Sequence, residues 1–323
     1  MTWRGQPVLV TGAQGFVGSW LAERLLEEGA RVVVPLRDVD PESRFRIEGI
    51  EERCQLVACD LADYGSVLRV VNEHEVRAVF HLAAQTIVGT ARRSPLSTFE
   101  SNVRGTWNLL EACRVDGGVE RIVVASSDKA YGAQDELPYR EASPLAALYP
   151  YDVSKAAADM IARSYAATWG APVVVTRLAN VYGGGDLNWS RIVPDTCRAL
   201  ANGHRPVIRS DGTLERDYLF VDDAVEAYLA VAASLDDERL RGRAWNAGWG
   251  EPVAVRDLVE RLIRAAGREI EPQVEGSGTP AAEIDRQYVD PRAIRDELGW
   301  APRVPLDEGL ERTWRWYERR LSG

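Results

Sequence analysis

Six short, mostly apolar runs mark the first half of the chain, at Val8–Val10, Arg31–Leu36, Gln55–Ala58, Ala78–Leu82, Arg121–Ala125 and Val173–Arg177. Their length and β-branched content predict strands buried on both faces. Between them, Ser19–Glu28, Tyr64–Glu73, Thr98–Arg114 and Tyr151–Trp169 carry helical patterns. A strand, a helix and another strand in succession need a crossover connection, so this alternation predicts an α/β fold with a doubly wound parallel sheet covered on both faces. In such a sheet ligands gather at the carboxyl ends of the strands.

The texture changes after Gly183. "GGGDLNW" reads as a loop, Ile192–Ala201 as a helix, and Pro206–Arg209 and Asp217–Phe220 as short strands around the turn Ser210-Asp211-Gly212. Asp222–Ala233, Arg256–Ala266 and Pro305–Glu318 read as helices. The expected division is residues 1–183 for the sheet domain, with a segment near 217–245 returning to it, and residues 184–323 mainly for a smaller, interleaved C-terminal lobe.

A chain of 323 residues, 46% hydrophobic and 27% charged, builds an ample core without a metal or disulfide. The formal net charge of −10 argues against a nucleic-acid binder, which needs a basic surface to displace phosphate counterions. Cys54, Cys59, Cys113 and Cys197 lack CxxC spacing, and His74, His81 and His204 are not grouped with carboxylates or thiols, so no metal site is expected. The chain passes from a polar tip straight into its first strand, and no apolar stretch approaches the ~18 residues of a membrane span. A cytoplasmic location without a membrane partner is the expectation.

"TGAQGFVG" sits between the first strand and the first helix, with Gly12, Gly15 and Gly18 spaced so that backbone can approach a pyrophosphate at the helix N-terminus. Asp38, at the end of the second strand, stands where a carboxylate accepts the ribose hydroxyls of NAD, while the adjacent Arg37 keeps a 2′-phosphate, and so NADP, open. Asp60 is either an adenine contact or a helix N-cap. Tyr151 and Lys155 lie four apart, on one helical face, where an ammonium would lower the phenol pKa and let Tyr151 act as a base, with Ser127 sharing its proton network. Asp128 and Lys129 follow Ser127 directly.

These residues resemble the extended short-chain dehydrogenase/reductases, in particular the NAD-dependent nucleotide-sugar epimerase/dehydratase family. The likeness runs over nearly the whole chain, through "TGAQGFVG", "CDLAD", "HLAAQ", "SNVRGTWNLLEAC", "YDVSK", "RLANVYG", "RDYLFVDD" and "ELGWAPRVPLDEGL". Within the family, "SSDKAYG", "HLAAQ" and "NVYGGGD…RIVPD" look most like the CDP-glucose 4,6-dehydratases, whereas "ERDYLFVDD" is closer to general epimerase/dehydratase sequences. The resemblance implies a Rossmann-like domain holding NAD through Gly12, Gln14, Gly15, Phe16, Val17, Gly18, Arg37, Asp38, Asp60, Leu61, Leu82, Ala83, Ala84, Asn102, Tyr151 and Lys155. It implies a nucleotide-diphosphate sugar held by Gln85, Asn180, Arg191, Arg216 and Arg286 in a C-terminal lobe, and a homodimer formed through the helices Thr98–Arg114 and Tyr151–Trp169.

For a 4,6-dehydratase the resemblance gives Tyr151 the C4 hydroxyl proton, Asp128 the role of acid at C6 and Lys129 that of base at C5. Those two roles run against the reference pKa values of about 3.9 and 10.4, and an ion pair between the residues would leave both idle. A 4-epimerase of the UDP-glucose or UDP-glucuronate type needs Tyr151 and NAD but neither Asp128 nor Lys129. A non-catalytic NAD-binding scaffold needs none of the catalytic set.

Overall fold

Val8, Leu9, Val10 and Val32–Val34 are all buried, so the strands they form must be covered on both sides. The computed structural model describes residues 2–278 and 283–321. In chain order its strands are β1 (Pro7–Thr11), β2 (Arg31–Leu36), β3 (Gln55–Ala58), β4 (Ala78–His81), β5 (Arg121–Ala125), β6 (Val173–Leu178), β7 (Asn180–Tyr182), β8 (Val207–Ile208), β9 (Glu215–Phe220), β10 (Ala244–Ala247), β11 (Pro252–Ala254), β12 (Gln273–Val274) and β13 (Arg286–Gln287). The main sheet runs β10-β6-β5-β4-β1-β2-β3, and every pair in it is parallel.

Strand alternation divides the core in two. Val8, Val10, Val32 and Val34 face a layer that includes Leu21 and Leu25 of the helix Phe16–Glu27 and Val225 and Val231 of the helix Val221–Ser234. Leu9, Val33, Val79 and Val124 face the other layer, with Val67 and Val70 of Tyr64–Glu73 and Leu109 and Leu110 of Gly105–Asp116. β10 closes the sheet beside β6, an element the sequence pattern did not reveal. The strand order reverses between β1 and β4, and the crevice at their carboxyl ends is where such sheets bind ligands.

The predicted helix Thr98–Arg114 is instead three pieces: Pro95–Phe99, a π-helical turn Glu100–Arg104, and Gly105–Asp116. Beyond the main sheet, β9 pairs with β11, β13 and β7, and β12 pairs with β8. Among the described residues no helix is long and apolar enough to cross a membrane, and no group of His, Cys, Asp and Glu is arranged to hold a metal ion.

The turn after β1 is set by two close approaches. Gly12 has φ +76°, and a Cβ there would lie 2.7 Å from the backbone nitrogen of Ala83. A Cβ on Gly18 would lie 2.1 Å from the Gly12 carbonyl oxygen, so only glycine lets the helix pack against the turn. Gly15 differs: it is exposed, has φ −73°, and a Cβ would meet only the Gly12 oxygen, at 3.1 Å. Two substitutions therefore separate. Gly18→Ala is expected to lower thermal stability by an overpacking cost of about 1–3 kcal/mol. Gly15→Val should melt near the wild type yet bind NAD about tenfold more weakly, because its side chain enters the crevice. Calorimetric melting and NAD titration check both, and unchanged NAD affinity for Gly15→Val would remove the turn from the cofactor site.

Candidate active site

The crevice between β1 and β4 is tied together by buried polar side chains. Thr11 Oγ1 meets His81 Nδ1 at 2.8 Å, and His81 Nε2 meets Thr106 Oγ1 at 2.9 Å. Burial, helped by the Lys155 charge, pushes the His81 imidazole down to about 3, so it stays neutral. The Ala83 amide donates to Thr11 Oγ1 at 3.1 Å, which places Leu82, Ala83 and Ala84, all partly buried, along the crevice wall.

Asn102 does not present a free amide to a ligand, contrary to expectation. It is 1% exposed, its Oδ1 accepts from the Gln85 amide at 2.6 Å, and its Nδ2 donates to the Gln85 carbonyl and to Ser154 Oγ. Its place is behind the wall, pinning the chain after β4 to the helix Pro150–Trp169. Gln85 likewise turns its side-chain oxygen to the Ile87 amide.

At the end of β2, Arg37 Nε donates to Asp38 Oδ2 at 2.6 Å, and both side chains are exposed. Gln14 braces this corner, donating to the Asp38 carbonyl and accepting from the Asp40 amide. Asp60, also exposed, accepts from the Ala62 amide, and the N-cap of Tyr64–Glu73 is Asp63, whose Oδ1 accepts from Gly65. Leu61 packs beneath Gly105, where a Cβ would stand 3.2 Å from it, while Phe16 and Val17 open the first helix, partly buried.

Parallel pairing of β5 with β6 delivers Ser127, Asp128 and Lys129 at the sheet's carboxyl edge, in a short 3-10 turn capped by Ser127. Ser127 Oγ donates to Asp128 Oδ1 at 3.1 Å, while Asp128 Oδ2 is buried without a partner. Burial raises the Asp128 pKa against the pull of Lys129, Ser127 and Arg216. Among the described residues Asp128 and Lys129 feel each other's charge without closing into an ion pair, so the idle arrangement is not formed.

The Tyr151 phenol departs from the expected lowering. Burial, then the Asp152 and Asp128 carboxylates, raise its pKa, with Arg191 and the facing Ser127 hydroxyl opposing. The reason lies in Lys155, which is 6% exposed and gives its Nζ to the Ala125 carbonyl at 2.7 Å. Burial pushes that amine down to about 8, and its charge is not what governs the phenol.

The second sheet supplies the opposite wall. Arg216 is buried and donates to the Glu215 and Asp285 carbonyls and to Glu283 at 3.1 Å; its charge reaches Asp128. Asn180 is aligned with Tyr218 on β9 and has its Nδ2 buried without a partner. Arg191 bonds Asp186 Oδ2 at 2.6 Å and the Val181 carbonyl at 2.7 Å. Arg286 does not join this wall. It is aligned with Glu215, pairs with that residue at 2.5 Å, and remains 54% exposed. Its neighbour Gln287 is aligned with Arg216, hence on the Arg216 face, and is fully buried with both amide atoms unpartnered. Gln287 was not visible as a candidate because no motif marks it; only the strand register does.

The glycine turn passes the test of a dinucleotide site, since the cradle at Gly15 is open on its outer side and any larger residue would fill it. The sequence profile of the NAD dependent epimerase/dehydratase family matches residues 8–248. A CDP-glucose 4,6-dehydratase of Salmonella typhimurium is 30% identical, covering 99% of this chain and 93% of that protein. A UDP-glucose 4-epimerase of Azospirillum brasilense is also 30% identical, covering 98% of this chain and 92% of that protein. The crystal structure of a dTDP-glucose 4,6-dehydratase from Streptomyces venezuelae, with NAD bound, superimposes with a TM-score of 0.86 at 29% identity, covering 98% of each chain. With a parallel sheet, a glycine turn and a Ser127-Tyr151-Lys155 corner all in place, this chain belongs to the NAD-dependent epimerase/dehydratase family.

Proposed function

We propose that the protein is a nucleotide-sugar 4,6-dehydratase, a reading that rests chiefly on Asp128: a carboxyl group buried at the catalytic corner, raised in pKa, with one oxygen free to face a ligand. NAD, held along the glycine turn, supplies reversible acceptance of hydride. Tyr151 would take the C4 hydroxyl proton through the Ser127 network as C4 becomes a ketone, a role that requires the positive charge of oxidised NAD to offset the burial that raises its pKa. The ketone acidifies C5–H, and Lys129 removes that proton. Asp128, whose burial favours the protonated form, gives its proton to the departing C6 hydroxyl, which leaves as water. Return of the hydride to C6 and of a proton to C5 from the Lys129 ammonium would give a 4-keto-6-deoxy sugar with no net change of the cofactor. Arg216, Asn180 and Arg191 are proposed to hold the nucleotide diphosphate and sugar, guanidinium groups being suited to paired phosphate contacts.

A 4-epimerase is the second reading, favoured by the equal identity to the Azospirillum brasilense enzyme. It would use Tyr151 and NAD in the same way and leave Asp128 and Lys129 without chemical work. Variants divide the two. Asp128→Asn and Lys129→Met are expected to oxidise C4, seen as enzyme-bound NADH absorbance on adding substrate, and to stall before water is lost. Tyr151→Phe should fail at oxidation itself, with a rate lower by roughly 10² or more. Wild-type turnover by both Asp128→Asn and Lys129→Met would give the epimerase reading first place.

A homodimer is proposed as well. Trp107 and, on the neighbouring helix, Met160 and Trp169 are 43%, 60% and 54% exposed, an apolar display suited to a partner surface. Light scattering should return twice the chain mass, and a monomer mass would contradict this.

A further inference from the structure

Asp152 follows Tyr151 directly in the first turn of the helix Pro150–Trp169, within the "YDVSK" stretch whose Tyr and Lys carry the expected roles. A carboxylate in a first turn is favoured by the helix dipole wherever it points. This one, however, is turned inward: Asp152 is 7% exposed, and its side chain has no hydrogen bond or ion pair among the described residues. Charges face it from every side. Lys129 and Asp128 come from the turn after β5, Glu283 from the chain ahead of β13, and Arg92 from the helix Val88–Arg93, while Tyr151 lies beside it on its own helix.

The cations of this cleft already face carboxylates of the chain. Arg216 is held by Glu283 and by backbone carbonyls. Lys129 offsets Asp128 and Asp152 together. Burial pushes Asp152 up to about 6, with Lys129 and Arg92 opposing and Asp128 and Glu283 adding to the rise. Above that pH it is an anion. Independently of Asp152, the buried and unpartnered Asp128 Oδ2 leaves a second polar atom for a ligand in the same cleft. A sugar hydroxyl can donate to the ionised Asp152 and accept from the acid form of Asp128. An ionised carboxyl group on the ring brings only acceptors and a like charge.

We infer that Asp152 makes the Tyr151 end of the cleft selective for an uncharged hexose, accepting hydrogen bonds from its hydroxyl groups and excluding a uronic acid. The inference rests on the nucleotide-sugar reading, but not on the choice between dehydration and epimerisation.

Glucose and glucuronate carrying the same nucleotide isolate charge at C6 from recognition of the base. UDP-glucose and UDP-glucuronate, and the matching dTDP and CDP pairs, are titrated calorimetrically into the NAD-loaded protein. At pH 8 the glucuronate should bind weaker than its glucose partner by on the order of 10²-fold, the scale of a like-charge contact. At pH 5 Asp152 is protonated while the uronate stays ionised, so that ratio should shrink at least about fivefold. Asp152→Asn should give the shrunken ratio already at pH 8 and hold it across pH. Because the wild-type pH series needs no variant, a poorly folded Asp152→Asn does not rescue the inference. Equal affinity for the two sugars, or a ratio indifferent to pH and to Asp152→Asn, would overturn it while leaving the nucleotide-sugar reading intact. Binding of none of the glucose nucleotides would overturn both.

Discussion

The corner between β5 and the helix Pro150–Trp169 depends on one buried contact, the Lys155 ammonium against the carbonyl oxygen of Ala125 at 2.7 Å. Ala125 ends β5 and leads directly into Ser127, Asp128 and Lys129, while Lys155 lies one helical turn beyond Tyr151. The contact therefore sets the distance between the strand-end residues and the phenol. A buried ammonium is costly unless it is hydrogen-bonded, and here the cost is met by a backbone acceptor at the sheet edge. Asn102 adds a second tie by donating to Ser154, whose hydroxyl in turn donates to the Tyr151 carbonyl.

Behind this corner lies a paired polar network. Arg177, fully buried, forms two hydrogen bonds to Asp159 at 2.7 and 3.0 Å and one to the Tyr131 hydroxyl, which itself donates to Asn246 on β10. That network joins the helix Pro150–Trp169 to β6 and to the last strand of the sheet. A buried polar group left without a partner costs about 1–3 kcal/mol. Buried unpartnered polar atoms also occur elsewhere, at Thr176 and Trp300 among others, so those of Asp128, Asn180 and Gln287 are distinguished by place: Asp128 stands at the Tyr151 corner, and Asn180 and Gln287 lie on strands paired with the Arg216 strand β9. A site built to bind polar ligand keeps such atoms free.

The main sheet was legible because burial on both faces writes itself into the sequence as short β-branched runs, and β2, β3 and β5 match their predicted bounds. β10 was not, since Ala-Trp-Asn-Ala carries no such pattern and pairs only at the edge of the sheet. The glycine turn and the Tyr151–Lys155 spacing were readable because local geometry fixes them. What the residues do to one another was less so. The direction of the Tyr151 shift depends on where Lys155 points, and spacing along a helix says nothing of that. The exchange of Arg286 for Gln287 on the Arg216 face has the same origin: a strand turns successive side chains to opposite faces, and only the β9–β13 register decides which one faces the cleft.

The central claim is that this corner removes a proton from C5 and the oxygen from C6 rather than only oxidising and reducing C4. The most direct measurement is the product formed from a nucleotide-linked glucose in deuterated water, read by mass spectrometry and NMR. The account predicts deuterium at C5 and loss of the C6 oxygen. A C4-inverted sugar that keeps its C6 oxygen and carries no deuterium would contradict it.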